Sequence, residues 1–260
     1  MKRFFYLILI SSVLFTATSC KKKAAEETAA PTTATANGIP AGANDGVTFI
    51  NSGKSAILNL YAPGKTSVYL IGDFNSWKVD SKYAMKKSTD GTRWWIQVDN
   101  LDPAVEYAYQ YYIDNSIKVA DPYTEKILDP VNDQYITSAT YPNLKAYPAG
   151  STTGIVSTMN YAQPAYSWTT TSFTKPDYKN LVVYELHVRD FIAAHNYQTL
   201  KDTLNYLVNL GVNAVELMPV NEFEGNSSWG YNTSFGFALD KYYGTKNAYK
   251  AFVDACHAKG

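Results

Sequence analysis

The sequence predicts a multidomain protein of β and α/β class: an antiparallel β-sandwich, then two β/α units with parallel strands. Two observations carry this. Residues 46–141 alternate apolar and polar side chains with a period of two and are cut by turn residues at short intervals. Residues 181–220 instead hold two short Val- and Leu-rich runs with a helical pattern between them.

Composition sets the bounds. A chain of 260 residues holds one large domain or two ordinary ones with material for a core. Hydrophobic content of 46% and charged content of 18% place it among folded proteins. Formal net charge is zero and no basic stripe is visible, so nucleic acid is not an expected partner. The 22 tyrosines fit half-exposed strands, and some are candidate platforms for sugar rings, whose apolar faces stack on aromatics.

Residues 1–20 open on Lys2 and Arg3, run apolar from Phe4 to Phe15 and end Ala17-Thr18-Ser19-Cys20. The apolar run is too short for a permanent membrane span and reads as an export signal. A cysteine directly after small residues resembles a bacterial lipobox. That implies lipidation at Cys20, attachment to a membrane through the N-terminal lipid, and an outer-membrane lipoprotein on its periplasmic or cell-surface side. A plain secretory peptide with an incidental cysteine is the other reading. Cys256 is the one further cysteine and is expected as a small core residue on a helix face rather than a nucleophile. Residues 21–45 are Lys, Ala, Thr, Pro and Gly with almost no large apolar side chain, which predicts a flexible tether.

Residues 46–141 are predicted as an immunoglobulin-like β-sandwich. Trp94, Ile96 and Val98 fall on one strand face; Val105, Tyr107, Tyr109, Tyr111 and Ile113 share another. Pro63-Gly64, Gly72-Asp73, Asp90-Gly91 and Asp102-Pro103 supply the turns. Residues 142–180 are rich in Pro, Ser and Thr with scattered aromatics, and read as a linker packed at a domain junction. From 181 the pattern changes. Leu181–Val188 and Asn213–Val220 are predicted as buried parallel strands. Leu200, Leu204, Leu207 and Val208 make one helix face ending at Gly211, a left-handed C-terminal cap. Tyr249, Phe252, Val253 and Cys256 mark a second helix running to Gly260.

The words of this second part carry a resemblance. VVYELHVRDF, NAVELMPVNEF, SWGYN and ALDKYYGT, in that order, resemble the start of the catalytic domain of glycoside hydrolase family 13, the α-amylase family, nearest its pullulanase, isoamylase and branching-enzyme-like members. VYLIGDFNSWKVD, DGTRWWIQV, YAYQYYIDN and ADPY resemble carbohydrate-binding module family 48, the sandwich that precedes the barrel of many such enzymes. The resemblance implies that residues 181–260 are the first two units of a truncated (β/α)8 TIM barrel. It also implies an exported enzyme hydrolysing α-1,4 or α-1,6 glucosidic bonds of starch, glycogen or pullulan with retention. A branching enzyme or other glucanotransferase, and a non-catalytic starch-binding lipoprotein, are the alternatives.

Retaining glycosidases need two carboxylates roughly 5 Å apart flanking the scissile bond. Asp190, Glu222 and Glu224 stand at strand ends, but the family's nucleophile, acid/base and stabilising aspartate lie on later strands. No catalytic residue is therefore expected within this chain. The resemblance implies that Tyr231 of WGYN stacks under the sugar at the cleavage position; packing of Trp229 and Tyr231 on the barrel rim is the structural alternative. Trp77 of FNSW matches the first of two glycan-facing tryptophans of glycogen-binding modules. Ile117 stands where the second falls and Gln110 where a lysine falls, which argues for weak binding or a purely structural sandwich. His187 and Arg189 share a predicted strand face with Glu185 and are expected to form an internal polar layer rather than a metal site. No cofactor is assigned; the family's calcium sites mostly use residues past Gly260.

Overall fold

The computed structural model describes residues 38–260; the signal pattern, Cys20 and most of the predicted tether lie outside the described residues. Nine strands make the first part: β1 (Gly46–Ile50), β2 (Ser55–Tyr61), β3 (Val68–Gly72), β4 (Lys86–Lys87), β5 (Arg93–Asp99), β6 (Tyr107–Ile113), β7 (Ile117–Val119), β8 (Ile127–Leu128) and β9 (Val156–Met159). They pair as two antiparallel sheets, ordered β1-β2-β5-β4 and β3-β6-β9-β8, with β7 also on β6. The period-two alternation works as predicted. Leu58 and Leu60 of β2 and Trp94, Ile96 and Val98 of β5 pack with Val68 and Leu70 of β3 and Tyr109, Tyr111 and Ile113 of β6. This is the main core, and its free energy comes from removing these faces from water, about 25 cal/mol per Å².

The sandwich departs from expectation at its end. β9, from the stretch predicted as linker, pairs with Tyr107–Tyr109 of β6 on one side and with β8 on the other. The second face of β6 is consequently covered rather than solvated: Ala108 and Gln110 are as buried as Tyr109 and Tyr111. Ala108, Leu128 and Val156 form a small cluster there, against which Trp77, Leu144 and Tyr147 pack.

The rest of residues 142–180 runs from the sandwich to the second part. Tyr161 meets Phe49 edge-on at 5.5 Å. Further on, Asp254 accepts hydrogen bonds from Tyr166 Oη, Thr169 N, Thr169 Oγ1 and Thr170 N at 2.7–2.9 Å. These donors hold the Asp254 carboxyl well below the usual carboxylate range.

The second part contains β10 (Val183–Leu186), α1 (Val188–Phe191), α2 (Tyr197–Asp202), α3 (Leu204–Asn209), β11 (Ala214–Leu217), β12 (Asn221–Phe223), β13 (Thr233–Leu239) and α4 (Lys246–Ala258). β10 and β11 pair in parallel, Val183 opposite Ala214 through Leu186 opposite Leu217. Both strands are shorter than predicted, and neither is buried along its length. Leu181, Val182 and Val183 are exposed, and only Leu186 of β10 is buried. The chain leaves the strand at His187, whose carbonyl accepts from both Asp190 N and Phe191 N to make the single turn of α1.

The predicted single helix is broken at Thr203, whose hydroxyl donates to the Leu200 carbonyl at 2.9 Å. Such back-bonding competes with the helix ladder. Leu200, Leu204 and Leu207 still face one core, but Val208 is 45% exposed. Gly211 ends α3 as predicted, with φ of 81°. Gly211 N donates to Val208 O and Val212 N to Leu207 O, the pair of bonds that closes a Schellman cap. On α4, Thr245 accepts from Ala248 N at the start, Phe252 is buried, and Tyr249, Val253 and Cys256 pack partly buried beside it. Burial pushes the Cys256 thiol up to about 11, which suits a core residue. No helix among the described residues is long and apolar enough to cross a membrane.

Candidate functional site

On the sandwich, the turn after β3 sets the position of Trp77. Gly72 N donates to Asn75 Oδ1 at 2.9 Å, and Ser76 and Trp77 both adopt left-handed backbone, φ 54° and 62°. Trp77 is half-buried, and its Nε1 donates to Asp73 Oδ1 at 3.1 Å. The other Asp73 oxygen accepts from Ala108 N at 2.8 Å and faces Lys145 Nζ at 3.1 Å. Gln110 is fully buried. Its Nε2 donates to the Thr153 and Ile155 carbonyls at 3.0 and 2.8 Å, and its Oε1 accepts from Thr152 Oγ1 at 2.6 Å. Residues 142–156 thus fold over the part of the sheet that carries Trp77 and Gln110, and a glutamine is what this cover requires of position 110. Ile117 remains exposed on β7. Trp77, Gln110 and Ile117 do not form one open platform.

In the second part, Trp229 and Tyr231 lie on the loop between β12 and β13, 63% and 69% exposed. They are not packed into the core of the second part. Gly230 between them is buried, and a side chain there would meet the Pro219 carbonyl, so the loop turns tightly over that backbone. Ser228 and Asn232 hydrogen-bond across the turn. Two large aromatic faces are therefore held out on a braced loop.

Two of the three carboxylates near the strand ends, Asp190 and Glu222, are committed elsewhere. Asp190 is held by Arg189 Nε at 2.8 Å and lies 2.9 Å from His187 Nδ1. The Arg189 hydrogen bond lowers its carboxyl to about 2, so it stays ionised. His187 Nε2 contacts Tyr243 Oη at 2.9 Å in the core. The expected polar layer of Glu185, His187 and Arg189 does not form: β10 stops at Leu186, so the period of two fails and Glu185 faces solvent. Glu224 is exposed. Glu222 is buried, and its Oε1 accepts from Lys241 Nζ at 2.7 Å.

Lys241 is the residue that sequence reading missed. Its side chain is 1% exposed, and it also reaches Asp133 Oδ1 of the sandwich at 3.3 Å. Asp240, buried beside it, accepts from Tyr242 N and Phe223 N. One ammonium therefore pairs with two carboxylates, Glu222 and Asp133, with the buried Asp240 close by. Burial raises the Glu222 carboxyl to about 8 and that of Asp240 to about 6, while Lys241 is held protonated by the acids around it. Asp121 of ADPY was also missed as a structural centre. Its Oδ2 accepts from Tyr109 Oη at 2.9 Å and Tyr111 Oη at 2.8 Å.

Residues 45–124 match the carbohydrate-binding module 48 (isoamylase N-terminal domain) family. This stretch is similar to a family 48 module. Over 215 residues it is 26% identical to the malto-oligosyltrehalose trehalohydrolase of Brevibacterium helvolum, 82% of this chain and 32% of that protein. Over 210 residues it is 27% identical to the 1,4-alpha-glucan branching enzyme of Oceanobacillus iheyensis, 76% of this chain and 30% of that enzyme. The Group B Streptococcus pullulanase SAP, solved in complex with maltotetraose, aligns with a TM-score of 0.60 at 21% identity, over 84% of this chain and 32% of the pullulanase. The chain spans about a third of the length of each of these proteins. With its family 48-like stretch, it resembles the N-terminal portion of glycoside hydrolase family 13 enzymes. Of the two segments that carry the resemblance, the sandwich buries its Gln110 position and half-buries Trp77, and the WGYN loop exposes its aromatics.

Proposed function

We propose that this chain is the N-terminal part of an exported enzyme that hydrolyses α-1,4 or α-1,6 glucosidic bonds with retention, its second part opening a (β/α)8 barrel. The observation that carries this is Tyr231, presented with Trp229 on the β12–β13 loop beside a parallel β/α pair. An exposed, braced aromatic is what orients a sugar ring and shields a developing oxocarbenium ion from water. The catalytic carboxylates are assigned to none of Asp190, Glu222 or Glu224. In this reading the family 48 module is chiefly a structural partner of the barrel, and Trp77 contributes to it through packing. The similarity to a branching enzyme supports glucan transfer as the second reading.

The test is the product profile, on amylose, soluble starch and pullulan, of the longer protein that this reading requires. Hydrolysis releases reducing ends; transfer alters the iodine stain of amylose without them. The 260-residue chain alone is expected to release no reducing sugar above blank. Turnover by that chain, abolished by Asp190→Asn, would sink both the role assignments and the proposal. Membrane attachment through Cys20 is proposed on the lipobox pattern alone. Cys20→Ser should move the protein from the detergent to the aqueous phase on phase separation; unchanged partitioning would refute it.

A further inference from the structure

A groove of about 450 Å³ runs along the junction of the sandwich and the second part, lined by Tyr141, Asn143 and Gln163 on one side and Phe237 and Asn247 on the other. A second hollow of about 380 Å³ adjoins it, and the two share Glu125, Asn160 and Gln163. Each volume lies in the range that holds small ligands, and domain junctions are where such sites concentrate. Trp77 and Tyr231 line neither hollow.

The chemistry of the lining selects the ligand. Every charged side chain on the main groove already has a partner. Lys126 bonds Glu106 at 2.5 Å, Lys246 bonds Glu125 at 2.7 Å, and Lys241 is taken by Glu222 and Asp133. In the adjoining hollow, Asp45 pairs with Arg93 at 2.9 Å. With these charges mutually neutralised, the groove offers nothing selective to a phosphate or a cation. Asn247 Nδ2 donates to the Pro164 carbonyl at 3.2 Å, but the other three carboxamides of the lining have acceptors or donors to spare. The side chains of Asn143 and Gln163 make no hydrogen bond among the described residues. Asn160 Oδ1 is buried and has no hydrogen-bond partner among the described residues. A buried acceptor left empty costs on the order of 1–3 kcal/mol and calls for a donor from outside the chain. Where the hollows meet, Tyr123 of one and Phe237 of the other stack at 5.3 Å and 26°, and Phe237 remains 63% exposed. Idle amides around an exposed aromatic face, without free charge, suit a neutral polyhydroxylated chain.

We propose that this junction groove is a second carbohydrate site that holds a segment of α-glucan, with Asn143, Asn160 and Gln163 on its hydroxyls and Phe237 against a ring face. The α-glucan identity rests on the function proposed above; the groove itself does not. Both walls are needed, so the site exists only while the sandwich and the second part are docked.

The experiment is calorimetric titration of the 260-residue chain with maltoheptaose and, separately, cellohexaose. Maltoheptaose should bind. Phe237→Ala combined with Gln163→Ala, both at exposed positions, should weaken it at least about tenfold, while Ile117→Ala on the far strand leaves it unchanged. Maltoheptaose binding indifferent to the double variant would overturn the groove and leave the proposed function standing. Cellohexaose bound in preference, and lost in the double variant, would keep a groove but overturn the α-glucan reading. Binding of neither sugar would overturn the site.

Discussion

Replacing Asp121 by alanine should lower the stability of the sandwich by about 3 kcal/mol, seen as a fall of roughly 6–12 °C in melting temperature. The carboxylate is fully buried and accepts from two phenols, Tyr109 and Tyr111, which are themselves fully buried. Burial pushes both phenols well above their usual range, so they remain donors at any working pH. Its second oxygen accepts from Tyr123 N at 2.8 Å, and the Asp121 backbone N–H donates to Ser157 Oγ of β9 at 2.6 Å. Deleting the side chain orphans three donors inside the protein, each carrying a desolvation cost of its own. Asp121→Asn keeps one acceptor oxygen and should recover part of the loss. Adding Tyr109→Phe and Tyr111→Phe to Asp121→Ala removes the two orphaned phenol donors, and should cost less than the single changes summed. A melting temperature within a degree of the parent for Asp121→Ala would show that the tyrosines find other acceptors.

Lys241→Met should cost on the order of 3–5 kcal/mol, because it strips the ammonium from its two partners, the buried Glu222 and Asp133, with buried Asp240 beside them. The pH dependence is the sharper test. Glu222 titrates near 4.5 in an unfolded chain and near 8 here, and Asp240 rises from 3.8 to about 6. For an acid whose folded value is raised, the native state binds more protons than the unfolded state between the two values. Its contribution to stability is complete below the unfolded value and is lost as pH rises through the folded one. Stability should therefore decline from about pH 4.5 to about pH 8, against a small opposing loss from Asp190 only at strongly acid pH. Lys241→Met should steepen that decline and Glu222→Gln should flatten it. A flat profile shared by parent and both variants would mean that the cluster is hydrated and not buried as a unit.

Much of this was legible in the sequence, wherever local pattern decides structure. The alternation of Trp94, Ile96 and Val98, the cap at Gly211 and the apolar face of α4 all follow from side-chain spacing alone. Tertiary partners were not legible. Val156–Met159 is four residues of mixed character, and only the waiting edge of β6 makes them a strand. Leu181–Val183 read as buried because Leu and Val usually are, yet nothing among the described residues covers them. The candidate site divides the same way. Tyr231 was visible through its neighbours in WGYN. Lys241 and Asp133 lie far apart in sequence, and each by itself is an ordinary surface residue type. A hint about Gln110 was present: an amide in place of a lysine on a strand, with Thr152 and Thr153 downstream to receive it.

The position of β9 has a consequence for synthesis. It is the last sandwich strand to be made, yet it lies inside its sheet between β6 and β8. Until it emerges, Tyr107–Tyr109 of β6 wait with an unsatisfied edge while more than forty further residues are translated. An open edge beside buried tyrosines is a surface on which nascent chains misassociate. Completion of the module is therefore timed by the segment that leads out of it, and the interval before Val156 is when the chain most needs a holding partner.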